Sequence, residues 1–117
     1  MTAGRGIVEI QWTRTAVESL QGVGSRSLRR KIVVKVGALL GTDRPELIGK
    51  PLQDELASLY RITHGRYRIV YEVQRRRNGP VTILRITVRI LYVGLRREGG
   101  KTDVYVRIAK LLRRLSE

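Results

Sequence analysis

Val8, Ile10 and Trp12 alternate with Glu9 and Gln11, the period-two pattern of a strand with one buried face. Helical spacing follows at once through Ala16, Val17 and Leu20. Thr13 or Thr15 supplies the cap, and Thr15-x-x-Glu18 offers a capping box, before Gly22 and Gly24 interrupt the run. A second helix is predicted from near Ser25 to about Leu40. Its apolar positions Leu28, Ile32, Val33, Val36, Leu39 and Leu40 recur at i, i+4 and i+7 or i+8, with Arg29, Arg30, Lys31 and Lys35 on other faces and Gly41 at its end. The two helices read as a hairpin packed on something flat. Thr42 to Gln53, with Pro45, Gly49 and Pro51, has no sustained period and reads as a connecting loop.

From Leu56 onward the pattern is that of strands. In the run from Tyr60 to Val73, Arg66, Arg68, Val70 and Glu72 fall on one face, and Tyr67, Ile69, Tyr71 and Val73 on the other, which reads as core. Asn78-Gly79, just ahead of Pro80, is a strong hairpin signal, because that pair tolerates the positive φ angles of primed turns. Leu84, Ile86, Val88, Ile90 and Tyr92 then alternate with Arg85, Thr87, Arg89, Leu91 and Val93, a run long enough to predict a bulge. Val104, Ile108, Leu111 and Leu115 close the chain at helical spacing. With Arg107, Lys110, Arg113 and Arg114 off that stripe, this is a basic amphipathic helix that docks on its own sheet or on a partner. The order β-α-α-β-β-β-α predicts an α+β fold: a four-stranded antiparallel sheet, helices on one face, and a C-terminal helix. The other face is left open in this reading.

A chain of 117 residues lies in the single-domain range, so residues 1–117 are read as one domain with one core. With no Cys and one His, neither a disulfide framework, a thiolate site nor a His cluster is available, so no metal and no cofactor is expected. No apolar stretch reaches the ~18 residues of a membrane span, and the N-terminus lacks a signal-like core, so the expected location is cytoplasmic. The formal charge of +14 is uneven. Residues 1–60 hold 9 basic and 6 acidic side chains, whereas residues 61–117 hold 15 and 4, a net of +11. Such a field attracts polyanions and makes their binding salt-dependent, whether the polyanion is nucleic acid, membrane or an acidic protein.

The chemistry-bearing residues lie in that half. Arg66 and Arg68, with Arg61 nearby, form a surface whose planar guanidinium forks suit phosphate. A glycine-rich basic loop, Val93 to Thr102, opens the last helix at Asp103-Val104-Tyr105, and the amides of Gly99-Gly100 could cradle a phosphate or simply form a flexible loop. Tyr60, Tyr67 and Tyr71 read as core or cross-strand packing, and His64 as a turn residue.

Taken together, Tyr60-Arg61-Ile62, then Gly65-Arg66-Tyr67-Arg68-Ile69-Val70-Tyr71, then Val93-Gly94-Leu95-Arg96, then Asp103-Val104-Tyr105 resemble the RelE/ParE superfamily of bacterial toxins. The resemblance covers nearly the whole chain. It implies the toxin of a type II toxin–antitoxin pair, with a cognate antitoxin as partner. In the RelE branch, which the matching residues favour, such a toxin is an mRNA interferase, a ribosome-dependent endoribonuclease that cuts messenger RNA in the ribosomal A site and so inhibits translation. The ParE branch instead poisons DNA gyrase by contact and is not an enzyme. A toxin homologue that has lost activity is a third reading. The family's site residues carry over to Arg61, Arg68, Arg96 and Tyr105. A second basic position that some members have falls on Thr63 here, leaving Arg66 or Lys101 as substitutes, and the loop from Arg96 to Tyr105 is longer than in compact members. Arg66, Arg97 and Lys101 are the expected phosphate contacts.

The chemistry of metal-free RNA cleavage agrees with that set. The substrate's own 2′-hydroxyl can attack the adjacent phosphorus, which requires a base, charge stabilisation on the phosphorane and a proton for the 5′-oxygen. A Tyr phenol, ordinarily near ~10, is a usable base where Arg charges favour the phenolate, so Tyr105 is the candidate base. Arg96 and Arg68 are the candidate phosphate ligands. Arg61 attends the leaving side, although Arg is a poor acid because it hardly deprotonates.

Overall fold

A computed structural model describes residues 7–78 and 83–115. The elements are β1 (Ile7–Trp12), α1 (Arg14–Gln21), α2 (Arg26–Gly37), β2 (Lys50–Pro51), β3 (Tyr60–His64), β4 (Tyr67–Asn78), β5 (Ile83–Leu95) and α3 (Val104–Leu115). The sheet order is β1-β5-β4-β3-β2. It has five strands rather than the four expected, because Lys50 and Pro51, inside the expected loop, pair with Arg61 and Tyr60. It is mixed rather than antiparallel: β1 runs parallel to β5, with Ile7 opposite Arg85 and Trp12 opposite Ile90. The β4–β5 hairpin forms, with Asn78 opposite Ile83. Gly79 and Pro80 of its expected turn lie outside the described residues.

Local chemistry explains the helix starts. Thr13, not Thr15, caps α1: its hydroxyl accepts from the Ala16 amide at 3.2 Å and donates to the Ile90 carbonyl at 2.8 Å. One hydroxyl thus starts the helix and ties it to β5, so the capping box at Thr15 does not form. Ser25 caps α2 through the Leu28 amide at 3.2 Å. The regular part of α2 stops at Gly37, short of the expected Leu40, and a tighter 3-10 turn continues over Ala38–Gly41. Beyond Ile90, β5 has no β1 partner. Ser19 of α1 takes that place, accepting from the Val93 amide at 2.9 Å.

The α1–α2 hairpin packs on one face of the sheet, as expected. Ala16, Ile32, Val36 and Leu39 meet Ile69, Tyr71, Val88 and Ile90 there. The opposite face is not left open. Val70, which alternates with Ile69 and Tyr71, joins Leu52, Leu56, Leu59, Val104, Ile108 and Ala109 in a second cluster, so α3 docks on its own sheet. The expected bulge is present. Val70 pairs with Tyr92 but Tyr71 pairs with Ile90, leaving Leu91 as the extra residue. The alternation read from sequence therefore breaks at Leu91: Ile90 and Val93 both enter the first cluster, while Leu91 and Tyr92 pack against the second.

Tyr71 fastens the segment before β3. It is fully buried, stacks on Tyr60 with ring centroids 5.7 Å apart, donates to the Pro45 carbonyl at 2.7 Å and accepts from the Gly49 amide at 3.0 Å. Burial pushes its phenol up to about 12. Gly49 is required by this approach, since a Cβ there would stand 2.5 Å from the Tyr71 hydroxyl.

Candidate functional site

A cleft of about 510 Å³ opens between β3, the segment before it and the start of α3, and Arg61, Arg96 and Tyr105 all line it. Arg61 comes from β3, opposite Val70 on the face that α3 covers. Arg96 follows β5, where its amide donates to the Arg66 carbonyl at 2.8 Å. Tyr105 enters on the first turn of α3, and the Arg96 guanidinium lies over its ring, 4.7 Å from the centroid, a cation–π contact.

Asp103 organises this corner, and no role was read for it from the sequence. Its carboxylate is almost fully buried, binds Arg96 Nη1 at 2.7 Å, accepts from the Tyr105 amide at 3.1 Å and accepts from the Arg97 amide. Burial works against its ionisation, but the bonds from Arg96 and the two amides outweigh that and hold the carboxyl below its ordinary value. The same bond raises the Arg96 guanidinium. Asp103 is therefore the N-cap of α3 and the anchor of Arg96 at once. An Asp directly before a helix and after a glycine-rich loop is a recognisable cap signal. Its carboxylate also answers the question of Gly99-Gly100: the helix start already holds an anion, and the Gly100 amide is spent on the Arg97 carbonyl at 2.9 Å.

The other expected residues lie outside the cleft. Arg68 shares the face of Arg61, but its Nη1 turns back to the carbonyls of Gly65 at 2.9 Å and Tyr67 at 3.0 Å. Arg66 and Lys101 are exposed. Arg97 lines a separate depression with Thr102 and Arg107. In their place the cleft gains Lys110 and Arg113 from α3, and Asp54 and Glu55 from the segment before β3. Arg113 meets Glu55 at 3.3 Å. The cleft is thus a mixed-charge site, not the bare cationic surface that composition predicts. Asp54 holds φ 56°, a left-handed conformation that Asp tolerates better than most side chains.

A family comparison matches residues 10–89 to the family described as the ParE toxin of type II toxin–antitoxin system, parDE. The chain belongs to the ParE toxin family. It is thereby a type II toxin of the RelE/ParE superfamily that its motifs resemble. Among solved structures, the chain is similar to one in the RelBE2 toxin–antitoxin complex from Mycobacterium tuberculosis, with 29% identity over 74% of this chain and 95% of that chain, and a TM-score of 0.46. No curated protein matches the chain. The family match ends at Arg89, so Arg96, Asp103 and Tyr105 lie beyond it.

Proposed function

We propose that this ParE-family toxin is a ribosome-dependent endoribonuclease of the cytoplasm that cuts messenger RNA in the ribosomal A site, and that a cognate antitoxin neutralises it. The observation that carries the reading is the convergence of Arg61, Arg96 and Tyr105, from three separate elements, on one cleft. The substrate's 2′-hydroxyl supplies the nucleophile, so the protein need only move protons and hold charge. Tyr105 accepts the proton of that hydroxyl as the 2′-oxygen bonds to phosphorus, the bond from phosphorus to the 5′-oxygen breaks, and water protonates the leaving oxygen. Arg96, aimed by Asp103, and Arg61 hold the phosphate oxygens as charge grows on them, and Lys110 is a further cation within the cleft. Arg68 joins only by releasing the carbonyls of Gly65 and Tyr67.

Contact inhibition of DNA gyrase is the second reading. It is favoured by the description of the matched family and by the neutralisation of Arg96 by Asp103, which a catalytic phosphate would have to compete with. Single-turnover cleavage of messenger RNA on programmed ribosomes, run beside gyrase supercoiling, separates the two. Tyr105→Phe is expected to slow cleavage by ~10²–10⁴-fold, about 3–5 kcal/mol in barrier, with the thermal midpoint unchanged and 2′,3′-cyclic phosphate ends on the wild-type products. Arg61→Ala should act in the same direction. Full cleavage by both variants removes the site, and stalled gyrase without cleavage by wild type selects the second reading.

A further inference from the structure

The β4–β5 hairpin outruns the rest of the sheet. β3 pairs with β4 only from Tyr67 to Tyr71, so from Glu72 to Asn78 the outer edge of β4 has no strand neighbour among the described residues. Side chains alternate along this ribbon, so Glu72, Gln74 and Arg76 share the face of Val70 and Arg61. Across from them stand Arg89, Thr87 and Arg85 in turn. Glu72 and Arg89 form an ion pair at 2.9 Å, and on the other face Arg75 is bound by Glu46, 2.6 Å from Nη2 to Oε1. Arg76 and Arg85 are different. They are like charges at directly opposed positions, which destabilises a sheet, both are exposed, and neither meets a carboxylate among the described residues. Both line a polar depression of about 510 Å³ with Arg75, Gln11, Gln74, Thr87 and Glu9, whose carboxylate accepts from the Thr87 hydroxyl at 3.2 Å.

We infer that Arg76 and Arg85 form a second anion site that binds the phosphodiester backbone of an RNA strand that leaves the cleft and meets the ribbon beyond the part of the face that α3 and the second apolar cluster cover, a placement that rests on the RNA-cleaving reading. Val70, beside Arg61, and Arg76 are six residues apart on one strand, about 20 Å at ~3.3 Å per residue. A stacked strand advances ~3.4 Å per nucleotide, so at least about six nucleotides are needed to bridge the two sites around the covered stretch. Arginine forks suit phosphate, and a bound phosphate relieves the repulsion across the pair. The depression offers Gln and Thr hydrogen-bonding groups but no apolar anchor, which a protein segment would need for affinity.

The test is binding of the full chain to a single-stranded RNA of about twelve nucleotides, about twice the span between the sites, and to a trinucleotide that fills only the cleft, as salt is raised. The double variant Arg76→Gln/Arg85→Gln should bind the longer RNA more weakly, with a slope of log K against log salt about 1.4 shallower, from ~0.7 per lost phosphate contact, and should bind the trinucleotide as wild type does. Its thermal midpoint should equal or exceed that of wild type, because a like-charge pair has been removed. Unchanged affinity and slope for the longer RNA overturn the assignment. So does unchanged RNA binding with a weakened antitoxin complex, which gives the face to an acidic protein. Weakened RNA binding by the variant, where wild type cuts no ribosomal message, upholds the ribbon site and removes the nuclease reading, so the two fail separately.

Discussion

Tyr71 and Asp103 show how single polar atoms decide the local structure. Replacing Tyr71 by Phe strips the Gly49 amide and the Pro45 carbonyl of their buried partner, and the expected cost is about 1–3 kcal/mol, read as a lower denaturant midpoint with unchanged slope. Because burial raises its phenol to about 12, the stability contributed by the neutral hydroxyl is complete below the ordinary value of 10.0 and is lost as pH rises toward 12. Asp103 works in the opposite direction. Its folded-state value is lowered, so its contribution is complete above the ordinary 3.8 and disappears as pH falls through the folded value. Asp103→Asn keeps a capping oxygen but no charge, so its thermal midpoint should fall less steeply than that of wild type in acid. Equal slopes in that titration would remove Asp103 from the account of acid stability.

At the scale of elements, the bulge at Leu91 and the docking of α3 depend on each other. The extra residue lets Ile90 and Val93 face the α1–α2 hairpin while Leu91 and Tyr92 face α3, and Gly94 lets α3 come close, since a Cβ there would meet Tyr92 at 2.8 Å and Val104 at 3.2 Å. Deleting Leu91 would shift Tyr92 to Leu95 to the wrong faces, and with them the backbone that carries Arg96. Ile108→Ala, in the second cluster, should cost about 2–5 kcal/mol and loosen α3 from the sheet, which hydrogen exchange along α3 would register. Normal protection of α3 in that variant would mean that its anchor is the Asp103 cap rather than its apolar stripe.

Over the whole molecule, charge and shape divide the work. The net +11 of residues 61–117 steers polyanions toward one half of the chain, yet the folded protein spends part of that charge on itself: Glu46 takes Arg75, Glu72 takes Arg89 and Asp103 takes Arg96. Affinity for RNA or for an acidic antitoxin segment should still fall as salt rises. Salt-independent antitoxin binding, measured by titration calorimetry at two ionic strengths, would show that the apolar surface carries that complex instead.

The hydrophobic period alone determined β1, both helices of the hairpin, the β3–β4–β5 meander and α3, because burial of one face is written directly into residue spacing. It also determined that Tyr67, Ile69 and Tyr71 face the core while Arg66 and Arg68 do not. The short β2 was beyond it, since two residues carry no period, and so was the parallel pairing of β1 with β5, since alternation is the same in either direction. The position of the bulge depended on pairing as well. Family motifs along the chain marked Arg61, Arg96 and Tyr105, and the fold brings those three to one cleft. Arg68 was marked by the same resemblance and is turned away by the carbonyls of Gly65 and Tyr67, a choice made by a turn's backbone and not by the residue itself. Asp103 and Lys110 enter the site only because α3 docks on the sheet, and Glu55 because the segment before β3 packs in the same apolar cluster. That docking follows from a close approach at Gly94 and a second apolar cluster, features that exist only once distant residues have met.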